Sequence, residues 1–373
     1  MPLVEFELAT AADDADLRRL LRVNPLPGEI GLSYEREPSY WAASTIDGPL
    51  HQTLVARSRD GRVVGMGSRT LRELYVNGKA TAVGYMSQMR VDPNFAWGAA
   101  LPKVLAQGWR FYRQLHQDGC TPYYLVSLVM GDSVAGRMMN AGLPDWPTLN
   151  SVGRLQTYAL HTRRTRPLPR LAHDLCLRRA TPEDAHALAD CLTRNHCRHQ
   201  FAPVWTPEKL AVLIQMADLD WHDFWLVERG MQVVGTLARW NQRRLKQSVV
   251  RGYAGVLRWA RPWVNVAARV GLAPRLPSIG EQVRHAFASH FAVDNDDPDV
   301  AAALLAAVYN DAVAAGDDYL MLGLDSNHSL NAIVRPYRHV VYGTQLCLAA
   351  WGADVELARQ VEGGQMGVEI ALL

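Results

Sequence analysis

Cysteine is scarce in this 373-residue chain: Cys120, Cys176, Cys191, Cys197 and Cys347 are an odd five, and no two are spaced as Cys-x-x-Cys. So sparse a set suits free thiols in a reducing compartment. Long apolar runs are missing too; none approaches the ~18 residues that a membrane-spanning helix needs. The opening stretch MPLVEFELATAADDADL carries acids where a secretory signal has basic residues and then an apolar segment. A cytoplasmic protein is expected. Neither sign of charge is in excess: 39 basic residues stand against 37 acidic, a net +2, which does not suggest a general nucleic-acid binder. Gly-x-Ser-x-Gly, His-Glu-x-x-His, P-loop and dinucleotide-binding fingerprints are absent, so serine hydrolase, zincin and kinase readings lose their main support. Cys191, His196, Cys197 and His199 crowd together in CLTRNHCRHQ, but their spacings of five, one and two residues match no usual zinc pairing. No metal is expected there, and the histidines read as caps of a helix C-terminus. What remains is the composition of a folded protein, 49% apolar and 20% charged, long enough for two domains at roughly 150 residues each.

The chain repeats itself. LATAADD at 8–14 and RATPEDA at 179–185 each put a threonine N-cap (Thr10, Thr181) before an acid-rich first turn. DGRVVG at 60–65 answers RGMQVVG at 229–235, each supplying the glycine of a hairpin turn after an apolar strand. QMRVD at 88–92 matches HFAVD at 290–294, and 119–128 matches 316–323. The offset is 171, 170, 202 and then 195 residues along these pairs. The second copy therefore carries an insertion of about thirty residues between its third and fourth strands. The copies are expected at 1–160 and 174–351, joined by a Pro/Arg-rich linker at 161–173 and followed by a tail at 352–373.

Each copy reads as a strand, a helix or two, a meander of strands, and then strand–helix–strand–helix–strand. In the first, Leu101, Val104, Leu105, Gly108, Trp109, Tyr112 and Leu115 form the buried stripe of a helix over 99–117. Residues 123–129 make a nearly unbroken apolar strand, the pattern of a strand covered on both faces. The matching helix of the second copy falls at 299–315. The fold class is α/β with a mixed sheet.

This order of elements, with the strand–turn–helix VDPNFAWGAA at 91–100, resembles the GNAT (Gcn5-related N-acetyltransferase) superfamily, and the whole chain resembles two such domains in tandem. Val91 and Pro93 match the family pattern at the end of its fourth strand, and Gly98 and Ala100 fit its Gly-x-(Gly/Ala) step. Phe95 stands where the family has Arg or Gln. Residues 136–143, GRMMNAGL, resemble the family's penultimate helix and its exit. The resemblance implies an acyl-CoA co-substrate, acetyl-CoA or another, held by Met89, Arg90, Val91, Phe95, Trp97, Gly98, Ala99 and Ala100. Small residues there let backbone N–H groups approach a pyrophosphate at a helix N-terminus. The second copy's loop, DNDDPD at 294–299, has no glycine and four acids, which would repel a pyrophosphate. The cofactor is therefore expected on the first copy alone.

Acyl transfer to an amine needs a base for the amine proton and an acid for the leaving thiolate. Glu73 is the carboxylate of the first copy's strand region and Tyr85 its candidate acid; a solvated glutamate and a half-buried strand tyrosine are the plainer accounts. Asp325 and His328 follow a buried strand at its carboxyl end, where α/β sites collect, and read as acceptor-site groups or as an Asx-turn with a loop histidine. The insertion has no acid from Arg229 to Gly280 and ten Lys/Arg. Helical spacing would put Arg251, Arg258 and Arg269 on one face, kinked at Pro262. Such a segment, about 243–280, suits a polyanionic partner or membrane surface, or arginines donated to acids elsewhere in the chain. The expected function is acyl-CoA-dependent N-acyl transfer to a small-molecule or carrier-linked amine. A non-catalytic scaffold and a transferase using aminoacyl-tRNA are the alternatives.

Overall fold

The computed structural model describes residues 3–26, 28–95, 98–129, 145–269 and 275–373. Its first half runs β1 (Val4–Leu8), α1 (Asp14–Arg22), β2 (Ile30–Glu35), β3 (Leu50–Ser58), β4 (Val63–Val76), β5 (Lys79–Val91), α2 (Leu101–His116), β6 (Tyr124–Val129) and β7 (Thr148–His161). The second runs β8 (Leu175–Arg179), α3 (Ala185–His196), α4 (Pro207–Met216), β9 (Phe224–Arg229), β10 (Gln232–Trp240), β11 (Gln247–Tyr253), α5 (Leu257–Arg269), β12 (His285–Val293), α6 (Pro298–Ala314), β13 (Tyr319–Asp325), β14 (His339–Ala350) and α7 (Asp354–Arg359). Residues 130–144, which hold the GRMMNAGL segment, lie outside the described residues.

The internal repeat is reproduced feature by feature. Asp13 accepts from the Thr10 backbone N–H and Asp184 from that of Thr181, both at 2.8 Å, closing two capping boxes of the same design. Gly61 (φ +85°) and Gly230 (φ +62°) turn the two hairpins. Gln88 and His290 both stand at φ +55°, each at an irregularity in the pairing with a sheet neighbour, β4 for Gln88 and β10 for His290. Beyond these residues the strands splay: β5 pairs in parallel with β6 only over Gly84–Met86, and β12 with β13 only over His285–Phe287.

The halves share one twelve-stranded sheet, ordered β1-β3-β4-β5-β6-β14-β7-β13-β12-β10-β9-β8. Read inward from its two ends the order is the same, except that the last strand of each half lies in the other half's position. β14 joins β6, β7 joins β13, and β14 and β7 pair antiparallel along their full length at the centre. A cut at the 161–173 linker thus divides the sequence without dividing the sheet. On one face, Trp109 and Tyr112 of α2 pack on Leu54, Met86 and Tyr124, each buried aromatic contributing ~2–3 kcal/mol. On the other, Leu17, Leu20 and Leu21 of α1 cover Val55, Val63 and Met66. In the second half α3 and α4 cover Leu226, Ala238 and Trp240, and α6 covers Val234, Leu237 and Ala286.

The insertion departs from expectation. Arg251 lies on a strand, not on a helix face with Arg258 and Arg269, because β11 pairs with β2 of the first half in a separate two-stranded sheet. Seven of the ten basic residues meet acids of this chain: Arg229–Asp174, Arg239 and Arg243 with Asp317, Arg244–Asp218, Lys246–Asp47, Arg251–Glu35 and Arg275–Glu281. Helix α5 presents Trp259 and Trp263 outward, 76% and 77% exposed. Among the described residues, no helix is long and apolar enough to cross a membrane.

After α7 the tail pairs with Gln200 through a single bridge at Met366 and ends in a 3-10 turn at Ile370–Leu372. It runs across the centre of the shared sheet over two glycines. A methyl group on Gly153 would stand 2.5 Å from the Met366 side chain, and one on Gly323 2.2 Å from Ile370. Only glycine lets the tail lie this low.

Candidate active site

Strand β4 turns Thr70, Arg72 and Leu74 to one face, opposite Tyr85, Val83 and Thr81 of β5. Tyr85 lies one pair before the splay, and its hydroxyl meets Ser127 Oγ of β6 at 2.9 Å. The Arg72 guanidinium carbon sits 5.3 Å from the centre of the Tyr85 ring. A cavity of about 10 Å³ opens on this face. Arg72, Tyr85 and Leu125 of the first half line it with Phe201 of the second and with Glu369 and Leu372 of the tail. It holds about one water, so a substrate must part its lining.

Glu369 reaches this cavity from the far end of the sequence. Its Oε2 accepts from the His290 backbone N–H (2.8 Å) and its Oε1 from that of Ala371 (3.2 Å). Burial raises its pKa to about 7, against those two hydrogen bonds. Burial raises the Tyr85 pKa as well, so its hydroxyl stays protonated and able to donate.

The expected catalytic residues fall in three places. Tyr85 lines the cavity. Glu73 does not: half exposed at 48%, it is paired with Lys209 Nζ at 2.5 Å. Asp325 is buried and accepts from the backbone N–H groups of Asn327 (2.7 Å) and Met366 (3.0 Å). It thus makes an Asx-turn and also anchors the tail that carries Glu369. His328 accepts from the Leu330 N–H through Nδ1 (3.1 Å).

Met89, Arg90 and Val91 follow the bulge, where β5 has left β6. Val91, Phe95 and Leu101 pack on Val4, Ala56, Val64 and Val104, which fixes the strand–turn–helix. Asp92 turns the chain by accepting from Asn94 N (2.9 Å), and Arg19 and Arg62 meet its other oxygen at 2.7 and 2.5 Å. Gly98, at φ +49°, opens a 3-10 turn to Ala100 that leads into α2. Of the expected cofactor ligands, Trp97 and the Ala99 side chain lie outside the described residues.

The equivalent cleft of the second half is occupied by its own side chains. His290 is enclosed by Trp205, Phe224 and Trp240, with ring centres 4.5, 5.1 and 5.7 Å away. Arg194 and Arg198 pair with Asp294 and Asp296 of its loop. His199, Asp296 and His328 bring possible ligand atoms within 4.8 Å of one another; the Leu330 N–H meets His328 Nδ1 and Arg198 one oxygen of Asp296. All five cysteines are free, and burial pushes the Cys191 thiol up to about 12, leaving it unreactive.

No protein-family model and no curated protein matches the sequence. Solved structures do. A GCN5-related N-acetyltransferase from Sphaerobacter thermophilus superposes with a TM-score of 0.55 at 15% identity, over 93% of this chain and 96% of that one. Saccharomyces cerevisiae N-myristoyltransferase with bound myristoyl-CoA gives 0.59 at 12% identity, over 95% and 85%. A tandem GNAT protein from the clavulanic acid biosynthesis pathway gives 0.56 at 12%, over 93% and 98%. Its paired halves, exchanged strands and splayed β5 make this chain a tandem GNAT fold.

Proposed function

We propose that the protein is an acyl-CoA-dependent N-acyltransferase that binds its cofactor on the first half and reacts at the cavity shared by Tyr85 and Glu369. The observation that carries this reading is a buried carboxyl held near neutrality, facing a protonated tyrosine at the mouth of the open splay. A base poised near pH 7 is what removal of an ammonium proton requires. The acceptor ammonium would give one proton to Glu369, and the free amine would attack the thioester carbonyl; the C–S bond breaks as the C–N bond forms, Tyr85 donates to the leaving thiolate, and the second proton lost by the nitrogen restores Tyr85. The cofactor would lie along the splay, its phosphates near the turn at 93–100, where Arg19 and Arg62 offset Asp92. The second half, with its cleft filled by His290 and three aromatics, supplies a wall and the tail. The tRNA-dependent reading drew on the basic arm, whose charges are mostly matched within the chain. A polyanionic surface at 243–280 would have α5 left to engage.

The test is release of free thiol from acetyl-, octanoyl- and myristoyl-CoA with a panel of amines. Amine-dependent release that Glu369→Gln abolishes supports the reading. No release, together with no calorimetric heat at millimolar CoA, refutes it.

A further inference from the structure

Beside the cavity lies a buried group of charges that do not balance. Asp47, 5% exposed, receives Arg36 Nη2 at 2.7 Å, Lys246 Nζ at 3.1 Å and Arg72 Nη2 at 3.8 Å, and Arg72 Nε also donates to the Asp47 backbone oxygen at 2.8 Å. His51 Nδ1 stands 3.1 Å from the same carboxylate. These cations are themselves shielded, with side-chain exposures of 6%, 19% and 11% for Arg36, Lys246 and Arg72. Three cations thus face one carboxylate where water screens poorly, and a buried charge without a partner is expensive.

Among the described residues, neighbouring acids do not close the gap. Glu35 is taken by Arg251, Arg22 and Ser33, and Glu37 by Arg18 and Arg22. Both oxygens of Glu369 are taken by backbone N–H groups, those of His290 and Ala371. Two guanidinium nitrogens also lack acceptors among the described residues. Gln88, with its amide oxygen toward Arg36, accepts from Nε at 2.9 Å and donates to the Tyr40 hydroxyl at 2.8 Å, while Arg36 Nη1 is buried with no partner. Arg90 Nε, two residues past the bulge, is in the same state. The field is positive enough that burial, with help from Arg36 and Arg72 and against Asp47, lowers the Lys246 pKa to about 8.

Position separates this group from the cofactor phosphates. Arg72 pairs with Val83, ten residues along β5 from Pro93, which is roughly 30 Å of extended strand. Arg72 instead lines the cavity with Tyr85 and Glu369.

We infer that Arg36, Arg72 and Lys246 form a binding site for an oxyanion, carboxylate or phosphate, carried by the acceptor substrate. The acceptor class is therefore an amine bearing an anionic group. The anion site stands on the charge count alone; its assignment to the acceptor rests on the acyl-transfer reading.

Thermal melts of the full chain at low salt test it, with L-glutamate, O-phosphoethanolamine and n-butylamine as probes. A saturating anionic amine is expected to raise the melting temperature by about 4 °C, and butylamine to leave it unchanged. Whichever of glutamate and phosphoethanolamine acts at lower concentration identifies the oxyanion. Lys246→Met, which removes a surplus buried cation, should leave the unliganded melting temperature level or higher and cut anion affinity at least tenfold. Asp47→Asn should lower the unliganded melting temperature and enlarge the anion-induced rise. Equal responses to all three amines, or no response to any, overturn the inference, as does a Lys246→Met protein that melts lower and binds anions as well as wild type. An anion response without thiol release from any acyl-CoA overturns the transfer reading and leaves the site standing. Thiol release with neutral amines and no anion response does the reverse.

Discussion

A carboxyl that titrates near 7 inside the fold makes both activity and stability depend on pH. Glu369 must be ionised to take a proton, so kcat/KM should rise with pH through about 7 and level off above it. Glu369→Gln should lose two to four orders of magnitude in rate, roughly the worth of a general base. The same substitution should stabilise. The folded protein holds a proton on Glu369 that the unfolded chain, at its ordinary 4.5, has released, so wild-type stability falls as pH rises from about 4.5 to about 7. Glutamine escapes that loss, and urea melts at pH 8 should show the variant about 3 kcal/mol more stable, with the difference vanishing below pH 4. Tyr85→Phe should cost ~10²-fold in rate and about 1 kcal/mol from the lost Ser127 hydrogen bond, measured by steady-state kinetics and urea melts. Tyr85 was legible in the sequence because it stands on the strand that carries the bulge. Glu369 was not, since it arrives from a tail whose local pattern reads only as apolar. The available signal was a lone acid between Val368 and Ile370. Glu73 drew the expectation as the nearest carboxylate in sequence, and nothing local records that Lys209 would meet it at the surface.

Among the elements, those legible in advance were the ones whose cause is local. Threonine caps, hairpin glycines, the stripe of α2 and the apolar run of β6 each depend on residues within one turn or one strand. The arm is the counterexample. Arg251 shares a helical spacing with Arg258 and Arg269, yet its 247–253 stretch is β11, because the edge it needs, β2, lies more than two hundred residues earlier. The tail likewise takes its place from distant groups: Gln200, Asp325 and the bare backbones of Gly153 and Gly323. Gly323→Val would drive a side chain into Ile370 and lift the tail that presents Glu369. The expected result is a loss of at least tenfold in kcat with the circular-dichroism spectrum unchanged; wild-type kcat would mean that the tail does not set the base.

At the scale of the whole molecule, duplication was visible as repeated motifs, but exchange of the last strands was not, because a strand's sequence does not say which copy of an edge it will join. Neither half can complete its sheet alone. Residues 1–164 and 165–373 expressed separately should be insoluble or unfolded, and co-expressed should assemble into one particle of the parent's mass by light scattering. Two fragments that each melt cooperatively would contradict the exchange.

The same exchange sets a timetable on the ribosome. β6 is an apolar strand whose free edge waits for β14, and roughly 210 residues of chain separate the two. At 5–20 residues per second that is about 10–40 s of synthesis, during which a nearly finished first half displays an unpaired, sticky edge of the kind that seeds aggregation. Completion of the first half is deferred until β14 emerges. The nascent chain is therefore expected to be a client of chaperones that shield strand edges, and slowing its translation should lower the yield of soluble protein.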